Sequence, residues 1–127
     1  MRELERISIT RVVATPSALD GIAWATGAIG MRIAPDEVLV VSGPVPNLGG
    51  DPHAIVEPDT GFCAMWLPMA EAREWLVRAC EWELPSHSPA FAQGSVAGLP
   101  VKLWFEAERV LFLVPAPYAH DFEERLP

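Results

Sequence analysis

Thirteen prolines cut this chain of 127 residues into short segments, and their placement constrains the fold more than any other feature. Proline lacks a backbone N–H and fixes φ, so it ends a helix or leaves a sheet interior. The usage is about twice the ~5% of an average protein. Long uninterrupted helices do not fit such a chain; short strands and helices joined by turns do. Half of the residues are hydrophobic, so these elements carry enough apolar surface to bury a core. The length suits a single domain over residues 1–127.

Between the prolines the periodicity switches repeatedly. Ile7 to Val13 alternates weakly and reads as a strand or an arm. Ser17 offers an N-cap and Gly27 a stop, with Leu19, Ile22, Ala23 and Thr26 at helical spacing, so a helix is expected over Ser17–Thr26. Met31–Ile33, the turn Ala34-Pro35-Asp36-Glu37 and Val38–Val41 form a hairpin, whose second arm is apolar on both faces and belongs inside a sheet. Gly43 to Pro52 is loop. Pro58-Asp59-Thr60-Gly61, between two apolar runs, signals a second hairpin turn. Met69 to Cys80 is the clearest helix, with Ala72, Trp75, Leu76, Ala79 and Cys80 on one face. Trp82 to Ser95 reads as irregular, Val101–Phe105 and Val110–Val114 as a hairpin around Glu106–Arg109, and Tyr118, Phe122 and Leu126 as a closing helix. The fold class is α+β, a mostly antiparallel sheet with helices packed on it, whose second half has a ferredoxin-like βαββα order.

The formal net charge is -8 and the pI about 4.7. Such a surface repels phosphate backbones and anionic headgroups, so neither nucleic acid nor a membrane is an expected partner. The opening MRELERISIT lacks the apolar stretch of a secretory signal, and the run Val110–Val114 is far too short to span a bilayer. Cys63 and Cys80 sit in apolar segments without CxxC spacing and read as reduced core thiols of a cytoplasmic protein, a disulfide between them being left open.

Residues with chemistry are present but not gathered. His53, His87 and His120 have no metal-ligand spacing to one another or to a cysteine, and each reads as solvated or capping. Ser86-His87-Ser88 reads as turn chemistry, because nucleophile and base normally come from separate elements. No GxGxxG or GxxxxGK[ST] occurs. Catalytic, cofactor-binding and metal-binding residues are therefore expected to be none. What stands out are large apolar residues in the stretch read as irregular: Trp82, Leu84, Pro85, Pro89 and Phe91. Either they pin the loop to its own core or they meet a larger partner. Trp82 and Phe91 are candidate interface anchors, as is Trp104, which alternates away from Val101, Leu103 and Phe105.

The order of these segments carries a resemblance. Arg32 to Val40 is one hairpin of it. Ile55-Val56-Glu57-Pro58-Asp59-Thr60-Gly61-Phe62, Met65-Trp66-Leu67 and Ala70 to Leu76 follow. Then come Ala79-Cys80-Glu81-Trp82-Glu83-Leu84, His87 to Val96 with the form His-x-x-x-Phe-x-x-Gly, and Ala97 to Trp104. Ala54–Pro127 resembles the gamma subunit of heterotetrameric sarcosine oxidase, within the wider family of the glycine-cleavage T-protein, the aminomethyltransferase. The resemblance implies a T-protein-like fold and a non-catalytic small subunit of a heteromeric amine oxidoreductase or demethylase. The large flavoprotein alpha-like partner, and possibly a beta-like subunit, would carry FAD and tetrahydrofolate; this chain would hold no cofactor. The alternatives are a folate-binding aminomethyltransferase-like domain in its own right and a free-standing homo-oligomeric binding domain.

Overall fold

The computed structural model describes residues 3–127. The elements run β1 (Glu5–Val13), α1 (Pro16–Asp20), β2 (Ile29–Ala34), β3 (Glu37–Ser42), β4 (Ile55–Pro68), α2 (Met69–Ala79), β5 (Ala90–Val96), β6 (Leu99–Phe105), β7 (Arg109–Pro115), a 3-10 turn (Ala116–Tyr118) and α3 (Ala119–Arg125). Strand pairing is antiparallel in both halves, and the fold is α+β with few helices. Contacts gather into two compact units, Ser8–Thr60 and residues 3–7 with Gly61–Pro127. None of the described helices is long and apolar enough to cross a membrane.

In Ser8–Thr60, β3 lies between β2 and β1, with Val12 opposite Val38 and Met31 opposite Leu39. Val38, Leu39 and Val40 are all buried, as a strand apolar on both faces requires. Leu19 packs with Val12, Ala14, Val38 and Val40. The helix expected over Ser17–Thr26 is shorter and starts earlier. Thr15 is its N-cap, accepting the Ala18 N–H on Oγ1 at 3.2 Å, Pro16 takes the first turn and Gly21 closes it. Tertiary packing claims the remainder: the Trp24 ring lies on Gly30, where a Cβ would stand 2.3 Å from Cη2. Arg11 bridges Glu37 at 2.7 Å and Glu57 at 2.8 Å.

The turn expected at Pro58-Asp59-Thr60-Gly61 does not form. β4 runs extended through all four residues, and its antiparallel partner β7 takes it from Phe62, opposite Pro115, to Pro68, opposite Arg109. Turn residues permit a turn but do not impose one, and the strand continues through them into the ladder that begins at Phe62. The irregular stretch expected from Trp82 to Ser95 is shorter as well, since β5 begins at Ala90. Its helix-facing positions are Ala90, Ala92 and Gly94, in register with Phe105, Leu103 and Val101, and side chains this small give no apolar alternation in the sequence. The extra strand turns the expected ferredoxin-like βαββα into βαβββα, with strand order β4-β7-β6-β5.

Within Gly61–Pro127, α2 and α3 cover one face of these strands. Trp75 of α2 meets Phe112 of β7 at 5.9 Å between centroids and Phe122 of α3 at 5.6 Å, while Phe112 and Phe122 are 6.0 Å apart. Leu67, Leu76, Leu103, Phe105 and Val110 complete a fully buried core. No polar residue is buried among the described ones, so little polar desolvation opposes this packing.

Two stability predictions follow from this packing. Emptying the aromatic triangle by Trp75→Ala should cost about 3–5 kcal/mol, the usual range for a large core aromatic, measured by urea unfolding. The β5–β6 hairpin turns at Ala97-Gly98, with φ of 51° and 84°. Alanine in that region is strained and Asn-Gly is the favoured pair, so Ala97→Asn should raise stability by about 0.5–1 kcal/mol. An unchanged or lowered urea midpoint would contradict this reading of the turn.

Candidate functional site

The face of the β4-β7-β6-β5 strands opposite α2 and α3 carries an aromatic row. Register places Trp66 beside Leu111, Leu111 beside Trp104 and Trp104 beside Phe91. One row therefore crosses all four strands. Leu111 is buried at 3% exposure, whereas Trp66, Trp104 and Phe91 are half-buried. Ala64, Leu113, Lys102 and Gln93 form the next row.

Cations lie over rings on this face. The Arg109 guanidinium sits 3.6 Å from the Trp66 centroid and its Nε donates to Glu106 at 2.9 Å. Lys102 Nζ stands 5.5 Å from the Phe62 ring. Stacking of this kind fixes a ring and a guanidinium together and keeps the charge at the rim. A groove of about 380 Å³ runs beside the row, lined by Glu3, Glu5, Ile7, Ala64, Met65, Trp66 and Leu111.

Of the three interface candidates, the structure brings Phe91 and Trp104 together as cross-strand neighbours and separates Trp82 from them. The Trp82 indole covers Gly94, where a Cβ would lie 2.9 Å from Nε1, and donates through Nε1 to the Ser95 carbonyl at 2.8 Å. Gly94 is in register with Val101 of the core face, so Trp82 pins the preceding loop on the helix side. Trp66, Leu111 and Arg109 were not singled out from sequence. The outward alternation of Trp66 against Met65 and Leu67 was the available signal, but only the register aligns it with Trp104.

The Ser8–Thr60 unit holds a second concavity, a cleft of about 650 Å³ lined by Thr15, Ser17, Ala18, Gly21, Ala23, Asn47, Gly49, Gly50, Asp51, Pro52 and His53. Its polar centre is a structural clamp. The Asp51 carboxylate accepts the backbone N–H of Thr15 at 2.9 Å and that of His53 at 2.9 Å, tying the loop to the start of α1. These two bonds, the Thr15 one first, hold the Asp51 carboxyl below its usual pKa. With both oxygens engaged, the group is oriented toward its own backbone.

The remaining chemistry-bearing residues are dispersed. His120 Nε2 lies 3.2 Å from Glu124 on the exposed side of α3, and His87 is exposed in the loop before β5. Among the described residues no three His, Cys, Asp or Glu side chains gather as a metal site. Cys63 is buried and Cys80 half-buried, both as free thiols, and burial pushes the Cys80 thiol up.

No protein-family model matches this chain, and no curated protein or solved structure matches it.

The Asp51 clamp predicts a pH dependence. A carboxyl whose folded pKa is depressed contributes stability that is complete above the unfolded value, ~3.9, and is lost as pH falls through the lower folded value. In an NMR titration the Thr15 and His53 amide shifts should therefore move with a common midpoint below ~3.9. Asp51→Ala should remove that transition, and a midpoint at or above the ordinary aspartate value would exclude the clamp.

Proposed function

We propose that this chain is a non-catalytic small subunit of a heteromeric flavin-dependent amine oxidoreductase or demethylase linked to tetrahydrofolate one-carbon metabolism. FAD and tetrahydrofolate belong to the partner subunits in this reading, the chain holds neither, and its α+β fold is of the T-protein-like kind. The observation that carries the subunit role is the aromatic row. Three large half-buried rings, Trp66, Trp104 and Phe91, occupy one face of the strands with cations at the rim. Apolar centres with an arginine beside them are the usual anatomy of protein interfaces, where buried aromatics dominate the binding energy. The identity of the partner rests on the resemblance of Ala54–Pro127 and the Arg32–Val40 hairpin to the sarcosine oxidase gamma subunit. In its support, the residues that carry the resemblance form the hairpin β2–β3, most of the helix α2 and the strand β6, while the expected strand–turn–strand Ile55–Phe62 is a single strand.

The test is co-purification with the large flavoprotein encoded in the same host, followed by flavin absorbance and amine-dependent turnover of the complex. The chain alone should be colourless and inert toward N-methyl amines. Phe91→Asp and Trp104→Ala should each weaken the complex at least about ten-fold, the scale of an interface anchor, while leaving thermal unfolding of the isolated chain nearly unchanged. Stoichiometric flavin on the chain alone, or complex formation indifferent to both substitutions, would overturn the proposal.

A further inference from the structure

A second surface, on α2, has a different chemistry. Val77 is 73% exposed, the largest exposure among the described large hydrophobics. It does not stand alone. It lines a groove of about 480 Å³ with Arg73, Cys80, Glu81, Glu83 and Leu84, at the point where α2 gives way to the loop pinned by Trp82. Leu84 and Cys80 are half-buried and Glu81 and Glu83 exposed, so an apolar floor carries an acidic rim.

The helix end adds to that rim. The C-terminus of a helix carries partial negative charge on its last carbonyls. In α2 the Leu76 carbonyl accepts the Cys80 N–H at 2.9 Å and the Ala79 carbonyl accepts the Ala97 N–H at 2.8 Å. The cation within the groove, Arg73, is engaged with the Pro85 carbonyl and lies 5.2 Å from the Phe105 ring centroid, so its charge is directed inward. Arg78 follows Val77 on the exposed side of the helix, one turn after Glu74. The groove mouth thus combines two exposed carboxylates and an uncovered valine, with Arg78 on the neighbouring position of the last turn.

We propose that this groove docks a basic segment of a partner protein in which cationic and aliphatic side chains alternate. A Lys or Arg would lie between Glu81 and Glu83 at the end of α2, with an aliphatic side chain on Val77 and Leu84. Charge complementarity selects this occupant: in a chain of net charge -8 a second copy would bring its own acidic rim against this one. The proposal does not depend on the aromatic row, to which none of its residues belongs, and its argument from groove and charge makes no use of the amine-oxidoreductase reading.

The experiment uses the full chain, ¹⁵N-labelled, titrated with the peptide acetyl-Lys-Leu-Lys-Leu-Lys-amide. Two control peptides replace every Lys by Gln or every Leu by Gly. The expected result is amide shift changes confined to Val77–Leu84. Cys80 sits in the groove and reports occupancy: at peptide ten times its Kd, alkylation by iodoacetamide should slow about ten-fold. Val77→Asp and the double variant Glu81→Lys/Glu83→Lys, all at exposed positions, should each weaken binding at least about ten-fold. Phe91→Asp should leave it unchanged, which separates this surface from the aromatic row. Shifts scattered over other acidic positions, or control peptides that bind as well, would overturn the proposal. Protection of Cys80 that grows with protein concentration in the absence of peptide would also overturn it, identifying a second copy as the occupant.

Discussion

The C-terminal unit depends on β7 being apolar on both faces. Val110, Leu111, Phe112, Leu113 and Val114 are all buried, and the strand lies between β4 and β6. Its even positions join the core: Phe112 touches Trp75 of α2 and Phe122 of α3, so one ring ties both helices to the sheet. Its odd positions face the other way, and Leu111 becomes the centre of the row that Trp66, Trp104 and Phe91 complete. Core and candidate interface thus rest on the same five-residue run.

Side-chain size on β5 makes the complementary point. Ala90, Ala92 and Gly94 face the helices, and the space they leave near Gly94 is filled by Trp82 from the preceding loop. The indole N–H on the Ser95 carbonyl then satisfies a backbone acceptor of β5. The loop from Glu81 to Pro89 is therefore held by this ring against an absent side chain, together with Arg73 on the Pro85 carbonyl. That arrangement also fixes the far wall of the α2 groove, since Trp82 and Leu84 line it.

These relations decide what was legible in the sequence. Strands apolar on both faces, β3 and β7, declared themselves, as did α2 through its amphipathic stripe and Ala34-Pro35-Asp36-Glu37 through its turn chemistry. β5 did not, because its core-facing side is Ala and Gly and its partner in packing, Trp82, lies outside the strand. The Pro-Asp-x-Gly segment of β4 misled because turn propensity is local and strand pairing is not. α1 stopped short because Gly21 could close it and the Trp24 ring found a seat on Gly30. For the candidate site, the outward direction of Trp104 was readable from alternation. Its adjacency to Phe91 and Trp66 was not, since that depends on the register of three separate pairings.

The two surfaces of this unit differ in chemistry, and part of the difference follows from where its few cations are placed. The whole chain has 9 Lys and Arg against 17 Asp and Glu. Arg109 and Lys102 are held over the rings of Trp66 and Phe62, on the aromatic face. Arg73 is turned inward on Phe105, which leaves Glu81 and Glu83 at the mouth of the α2 groove. A ring presents a negative face to a cation, so the stacking orders the row with a guanidinium and an ammonium held against its rings, Arg109 being paired with Glu106 as well. With Arg73 engaged inward, Glu81 and Glu83 are the exposed charges that line the groove, and Arg78 stands beside them in the last turn of α2. A partner that met both surfaces would therefore need an aromatic or acidic patch for one and a basic, apolar segment for the other. Two such demands on one partner discriminate against wrong partners more strongly than either surface would alone, because each mismatch leaves a ring or a charge without its counterpart.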